Sequence, residues 1–225
     1  MKLQKEVYSI LILTIFLFIL FKAMNKKLVG LELKEKPKGL ALKAILFVQT
    51  INNFTVQNMG EKHGKRMSAY IGSVFIYILL ANMMGLLGLQ SPTSNYSVTL
   101  VLAIISFCLI QHAKIDQNGI KGYFKGFFEP FFPFVIPNFF GTVAPLISLS
   151  LRLFGNVLSG TVIMTLLYTF TAWLSSFVPL IGGFNFIGVV VAPVLHLYFD
   201  MFSAFLQAFI FISLTSILIA VEYAE

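Results

Sequence analysis

Leu146-Ile147-Ser148-Leu149-Ser150-Leu151-Arg152-Leu153-Phe154-Gly155-Asn156-Val157-Leu158-Ser159-Gly160 is the stretch whose reading decides the fold. Arg152 is the only formally charged side chain between Glu129 and Asp200, and the last basic residue of the chain. A guanidinium does not deprotonate in a protein, so it cannot escape an apolar setting by neutralising itself. Arg at the centre of a membrane helix costs about 2.5–3.5 kcal/mol on insertion scales. Something must offset that cost, and the default reading of such a residue is functional.

The rest of the chain is equally apolar. It has 225 residues, of which 58% are hydrophobic and 11% charged, with a mean hydropathy of +0.88. Soluble domains carry about 25% charged residues, so this composition excludes that class. The net charge of +7 does not point to a nucleic acid, because the positive charges are segregated. Ten of the sixteen Lys and Arg residues lie in 22–66, three in 114–125 and two at the N-terminus. The turns expected on the opposite side, 90–96 and 174–185, contain none. That is the positive-inside pattern of a membrane protein. It predicts a multi-pass chain in a cell (plasma) membrane, with the N-terminus outside and the C-terminus cytoplasmic. Lys2 and Lys5 precede an apolar run without a small-x-small cleavage site, which predicts an uncleaved first span. Cys108 stands alone, so no internal disulfide forms, and it reads as a small packing residue. No motif for a metal, a cofactor or a nucleotide phosphate is present.

Five hydrophobic blocks predict an all-α integral membrane protein of about five transmembrane helices. The blocks are 6–23, 67–89, 97–113, 138–173 and 186–221. Residues 44–59 have the mixed character of an amphipathic helix on the cytoplasmic face. Residues 127–140, rich in Phe and interrupted by Pro130, Pro133 and Pro137, predict a re-entrant or Pro-broken segment. The last two blocks run to roughly 36 residues, or about 54 Å of helix. They therefore form a hairpin of long, tilted or bent helices joined through 178–183, with Pro145 and Pro193 as bend points. The chain divides as one membrane domain, 1–225. Within it, 1–66 is the first span and basic loop, 67–126 the second and third spans, and 127–225 the broken segment and hairpin.

Polar residues inside the hairpin are periodic. Ser148, Arg152, Asn156 and Ser159 fall on one stripe of the first long helix, and His196, Asp200, Ser203 and Gln207 on one stripe of the second. Facing polar stripes in a membrane require each other, water or a partner. Hydrogen bonding between the helices suffices for the serines. His196 reads either as an interfacial residue or as a proton relay, and Tyr168 and Trp173 as an interfacial aromatic belt. Glu129, four residues after Lys125, reads as a surface ion pair.

Leu151-Arg152-Leu153-Phe154-Gly155-Asn156 and Gln207-Ala208-Phe209-Ile210-Phe211 together resemble the signature of subunit a of F-type ATP synthases. Residues 80–86, Ser91-Pro92-Thr93 and Val98-Thr99-Leu100 resemble the family's earlier helices. The resemblance implies a membrane stator that carries ions, most often protons, through two offset half-channels past a rotating c-ring, coupling the gradient to ATP synthesis or hydrolysis. It implies as partners the c-ring, peripheral-stalk subunit b, the other ATP synthase subunits and the lipid bilayer, with no nucleotide chemistry in this chain. Arg152 would be the essential arginine facing a ring carboxylate, with Asn156 and Gln207 as polar companions. A fixed cation lowers the pKa of a nearby carboxylate and favours release of its proton.

Two departures from the family pattern stand out. Nine residues after the arginine, where many relatives carry Glu or His, this chain has Thr161. Seven residues before the glutamine it has Asp200. Thr161 and Asp200 are then expected to line the outer half-channel, with Asp200 as its titratable group, assisted by His196. Ten and eleven residues before the arginine, where some bacterial relatives carry Glu, stand Thr142 and Gly141. The inner half-channel is then left to Asn138, Ser148, Glu222 or Tyr223. Two other classes compete with this reading. A secondary transporter with a substrate site around Arg152 would show internal repeats, and none is visible. A purely structural membrane scaffold leaves Arg152 unexplained.

Overall fold

The structure is a computed structural model that describes residues 5–29, 37–177 and 184–224. The 178–183 linker, Lys2 and residues 30–36 of the basic stretch lie outside the described residues. The described chain is helical throughout: α1 Lys5–Val29, α2 Leu40–Met83, α3 Tyr96–Gly126, α4 Val135–Ser175, α5 Phe186–His196 and α6 Ser203–Ala224. It holds five helices long and apolar enough to cross a membrane, with α5 and α6 forming one of them.

Helices α2, α3, α4 and α6 share one core of Ile71, Ile78, Ala103, Ile110, Leu149, Leu153, Ala208, Phe211 and Ile219. Ala103 and Ala208 are completely buried. Small side chains there let the backbones approach closely, which is the main source of helix attraction inside lipid. Helix α1 packs against the outer half of α2 through Leu13 and Leu17. Elsewhere the surface is apolar, as at Phe18, Leu166 and Val190, which are 66%, 65% and 73% exposed. Such a surface is stable against lipid or another protein, not against water.

Four local readings are refined by the structure. Helix α2 is two helices joined at Gly60, whose φ of 77° and ψ of 171° suit glycine and little else. The 44–59 segment therefore doubles back on the second span. Phe47 stacks on Phe75 with ring centroids 6.3 Å apart, and Ile51 lies against Gly72. Gly64 makes the close approach possible: a Cβ there would stand 2.6 Å from the Val56 Cα. Second, residues 114–125, read as a loop, continue α3 to Gly126 with one break at Gly119. The apolar run ends at Lys114, but backbone hydrogen bonding goes on past it. Third, Cys108 is exposed, because the buried face of α3 is Thr99, Ala103, Ser106, Ile110 and Ala113 and residue 108 falls off that stripe. Fourth, the Phe-rich segment is broken, and no separate helix dips in and returns. A turn containing a cis Glu129–Pro130 bond and a short 3₁₀ turn, Phe132–Phe134, lead directly into α4. Pro137 sits in the first turn of α4, where its missing N–H has no partner to lose. Lys125 and Glu129 form the expected exposed ion pair at 3.2 Å.

The terminal hairpin packs as anticipated, yet its second arm is not one α-helix. Between α5 and α6 the residues Leu197–Phe202 form a π-helical turn that carries Asp200. Pro193, inside α5, withholds the N–H that would bond to Val189, and the wider turn follows directly. The arms are tied at their outer end by Asn185, which caps α5 by accepting from Gly188 N at 2.9 Å. It also donates to Thr171 Oγ1 of α4 at 3.0 Å.

Candidate functional site

Two cavities open along α4, and Arg152 stands between them. The first, of about 560 Å³, is lined on α4 by residues between Asn156 and Tyr168, among them Leu158, Thr161 and Thr165. The second, of about 310 Å³, takes its α4 lining from Pro137, Asn138, Gly141, Thr142 and Pro145. The two linings do not overlap, and Arg152 belongs to neither.

Asp200, on the π-helical turn, meets Thr161 in the larger cavity. His196 sits beside Asp200, with Nδ1 2.5 Å from the carboxylate Oδ2, and the Tyr168 hydroxyl lies 2.8 Å from His196 Nε2. An ionised carboxylate only accepts. The consistent arrangement is therefore Nδ1–H donating to Asp200 and the Tyr168 O–H donating to Nε2. The result is a chain Tyr168–His196–Asp200 reaching from α4 across the cavity to the π-turn. Tyr168, read from sequence as part of an aromatic belt, instead carries the outer end of this chain. Asn156 and Ser203, on the two facing stripes, are joined directly: the Ser203 hydroxyl donates to Asn156 Oδ1 at 2.8 Å.

One wall of this cavity is a buried network that the sequence does not advertise. The Thr93 hydroxyl donates to Asn82 Oδ1, Ser91 Oγ lies 2.7 Å from Thr93 Oγ1, and Ser91 also donates to the Ala81 carbonyl. Asn82, Ser91 and Thr93 are all buried. The sequence marks them as part of the family resemblance, but nothing in it shows that they hydrogen-bond to one another.

Arg152 has one hydrogen-bond partner, Ser148, whose Oγ accepts from Nη2 at 3.3 Å. No carboxylate among the described residues comes within ion-pair distance of it. Leu149 and Leu153 on the same helix are buried in the core. Arg152 lies on an exposed flank with Ile147, Leu151 and Leu158, which are half exposed. The guanidinium thus emerges on an apolar outer surface of the chain. Gln207, the second expected companion, is buried on α6 with its amide nitrogen unpartnered and makes no hydrogen bond to Arg152.

The smaller cavity lies on the other side of Arg152 along α4, between α3, α4 and the end of α6. Of the four residues expected there, Asn138 and Glu222 line it. Ser148 instead holds Arg152, and Tyr223 stacks on His63 with ring centroids 3.7 Å apart. Asn138 donates to the carbonyls of Glu129, at 2.8 Å, and Phe127, at 3.1 Å, so it closes the turn before α4. Lys114, Gln111 and Tyr123, none singled out from sequence, complete the polar lining.

The description ATP synthase A chain belongs to the family whose pattern matches residues 4–220. The chain belongs to this family. Among curated relatives, "ATP synthase subunit a" of Mycoplasmoides gallisepticum is 37% identical over 93% of this chain and 75% of that protein. "ATP synthase subunit a" of Streptococcus agalactiae serotype Ia is 33% identical over 92% and 85%. "ATP synthase subunit a, sodium ion specific" of Propionigenium modestum is 32% identical over 77% and 61%. As an A chain with five helices long enough to span, this is a multi-pass, all-α membrane protein that works with other ATP synthase subunits. Nothing in its geometry favours a transporter pocket around Arg152, which lines neither cavity.

Proposed function

We propose that this chain translocates ions, most simply protons, in the membrane sector of an F-type ATP synthase, through two half-channels that Arg152 keeps apart. The observation that carries this reading is the placement of one exposed, acid-free arginine in the gap between two polar cavities on the same helix. An ion cannot pass from one cavity to the other inside this chain without meeting a fixed positive charge, which blocks cations as charged constrictions do in channels. It must instead board a carboxylate on a partner that moves past the apolar flank, and the c-ring of small hairpin subunits is that partner. Arg152 favours the ionised form of the passing carboxylate and so promotes release of its ion. Asn156, held by Ser203, and Gln207, with its spare amide donor, are the polar companions at the same depth.

The larger cavity serves as the outer half-channel, where Asp200 exchanges the ion and His196 orients and supports it. The smaller cavity serves as the inner one. The N-terminus lies outside and the C-terminus in the cytoplasm, in a cell plasma membrane. Residues 1–66 and 67–126 supply the supporting spans, with peripheral-stalk subunit b among the neighbours, and 127–225 the ion-carrying unit. Replacing Arg152 by Ala in the assembled enzyme tests the reading. Coupled ion transport, measured as ATP-driven acidification of vesicles, is expected to be lost while the complex stays intact. Normal coupling in that variant overturns the assignment.

A further inference from the structure

We propose that Glu222, at the end of α6, is the ion-relay carboxylate of the inner cavity, and that Lys114 of α3 is its counter-charge. The inference rests on the ion-translocation reading above and names the group that the inner half-channel uses. Glu222 is the single carboxylate, and Lys114 the single cation, among the residues lining this cavity. Both are largely shielded, with side chains 18% and 27% exposed, and their charged atoms are 3.8 Å apart. At that separation the ammonium offsets the charge of the carboxylate. The remaining polar lining is committed elsewhere: Asn138 to the turn carbonyls, Thr142 to the Asn138 carbonyl, and Tyr123 to Gln111 at 3.0 Å. On α4 the inward path from Arg152 begins at Pro145, seven residues or about 10 Å away. Pro145 has no N–H for the Gly141 carbonyl, and both residues face the cavity. That unclaimed acceptor gives a transferred ion a polar surface between Arg152 and Glu222.

The transfer balances simply. A proton released by the partner's ring carboxylate as it passes Arg152 is taken up on a Glu222 carboxylate oxygen, the ring carboxylate being left ionised beside Arg152, and Lys114 remains cationic. The pair changes from net zero to net +1, which repels a second proton until the first leaves to bulk water at the cytoplasmic end. The other ionic groups near this helix end are His63, stacked on Tyr223, with Arg66 and Asp116 close to the same tyrosine. None of these three groups lines the cavity.

The test measures passive proton conduction through the membrane sector in vesicles of assembled enzyme, with complex integrity checked by subunit content. Glu222→Gln is expected to reduce conduction about a hundredfold, the low side of what a positioned proton-transfer group supplies, and Glu222→Asp to restore most of it. Lys114→Gln removes the counter-charge and is expected to reduce conduction, by less than Glu222→Gln does. The double variant Lys114→Gln/Glu222→Gln removes both charges, so any purely structural need for balanced charge is met. Conduction that stays low in the double variant supports the relay, whereas recovery overturns it in favour of a structural ion pair. Arg152→Ala in the same preparation separates the two claims. Normal conduction in Glu222→Gln with coupling still lost in Arg152→Ala overturns this inference alone. Normal coupling in Arg152→Ala overturns the reading beneath it.

Discussion

On the proposed reading, the two cavities on either side of Arg152, the larger as outer and the smaller as inner half-channel, solve the same problem with different chemistry. In the outer one the carboxylate of Asp200 is held by hydrogen bonds, from His196 and through it from Tyr168. In the inner one the carboxylate of Glu222 is balanced by a charge, Lys114, at a looser 3.8 Å. A hydrogen-bonded chain orients a group and can pass a proton along itself. A charge pair sets how easily the group is protonated but orients it little. The outer site is therefore geometrically exacting, whereas the inner one is tuned electrostatically. The outer cavity is also braced by the buried Asn82–Ser91–Thr93 network, whereas the inner one is bordered by Asn138, which closes the turn before α4.

Substitutions can break or sharpen this contrast. The largest effect is expected from Asp200→Asn, which keeps the shape but removes the ionisable group. Ion-driven ATP synthesis should fall by about a hundredfold or more, and unchanged synthesis would remove Asp200 from the path. His196→Ala leaves Asp200 in place without its orienting partner, so pumping should fall by roughly tenfold, the loss of one charge-assisted hydrogen bond of about 1.5 kcal/mol. A larger loss, equal to that of Asp200→Asn, would make His196 a carrier and not a support. Thr93→Val strips the hydroxyl that Asn82 holds. It should destabilise the solubilised protein by about 1–3 kcal/mol through an unsatisfied buried amide, read as a lower thermal midpoint. Inner-cavity conduction phenotypes should be unaffected by it. The smallest effect is expected from Tyr168→Phe, about 0.6 kcal/mol or two- to threefold in pumping rate, the typical value of a hydrogen bond between membrane helices. A severe loss there would extend the exacting part of the outer path to α4.

Much of this was legible before any coordinates, for a physical reason. A charge in an apolar segment is expensive, so Arg152 and Asp200 announce themselves, and helical periodicity then gathers their companions on two stripes. The meeting of Asn156 with Ser203, and of Asp200 with Thr161 in one cavity, follows from that periodicity. What stayed hidden is neutral or conformational. Asn82, Ser91 and Thr93 cost little to expose at a helix end, so their burial leaves no mark in composition. Tyr168 looks the same whether it faces lipid headgroups or a histidine. Lys114 marks where the apolar run stops, which conceals that α3 continues and that its ammonium turns back toward Glu222. Gly60 and Gly64 are ordinary glycines until a backbone angle and a 2.6 Å approach show why nothing larger fits.

The π-helical turn at Leu197–Phe202 acts as a phase adjuster between the two halves of the terminal arm. Adding one residue to a regular α-helix would swing everything beyond it by about 100°. Absorbed as a wide turn, the added residue leaves α5 and α6 in line while advancing the angular setting of one against the other. The segment before the turn can therefore aim His196 at Tyr168 while α6 independently sets Gln207 in the core and Glu222 at the smaller cavity. Deleting a single residue from the turn would couple the two halves again, and no choice of side chains could then serve both.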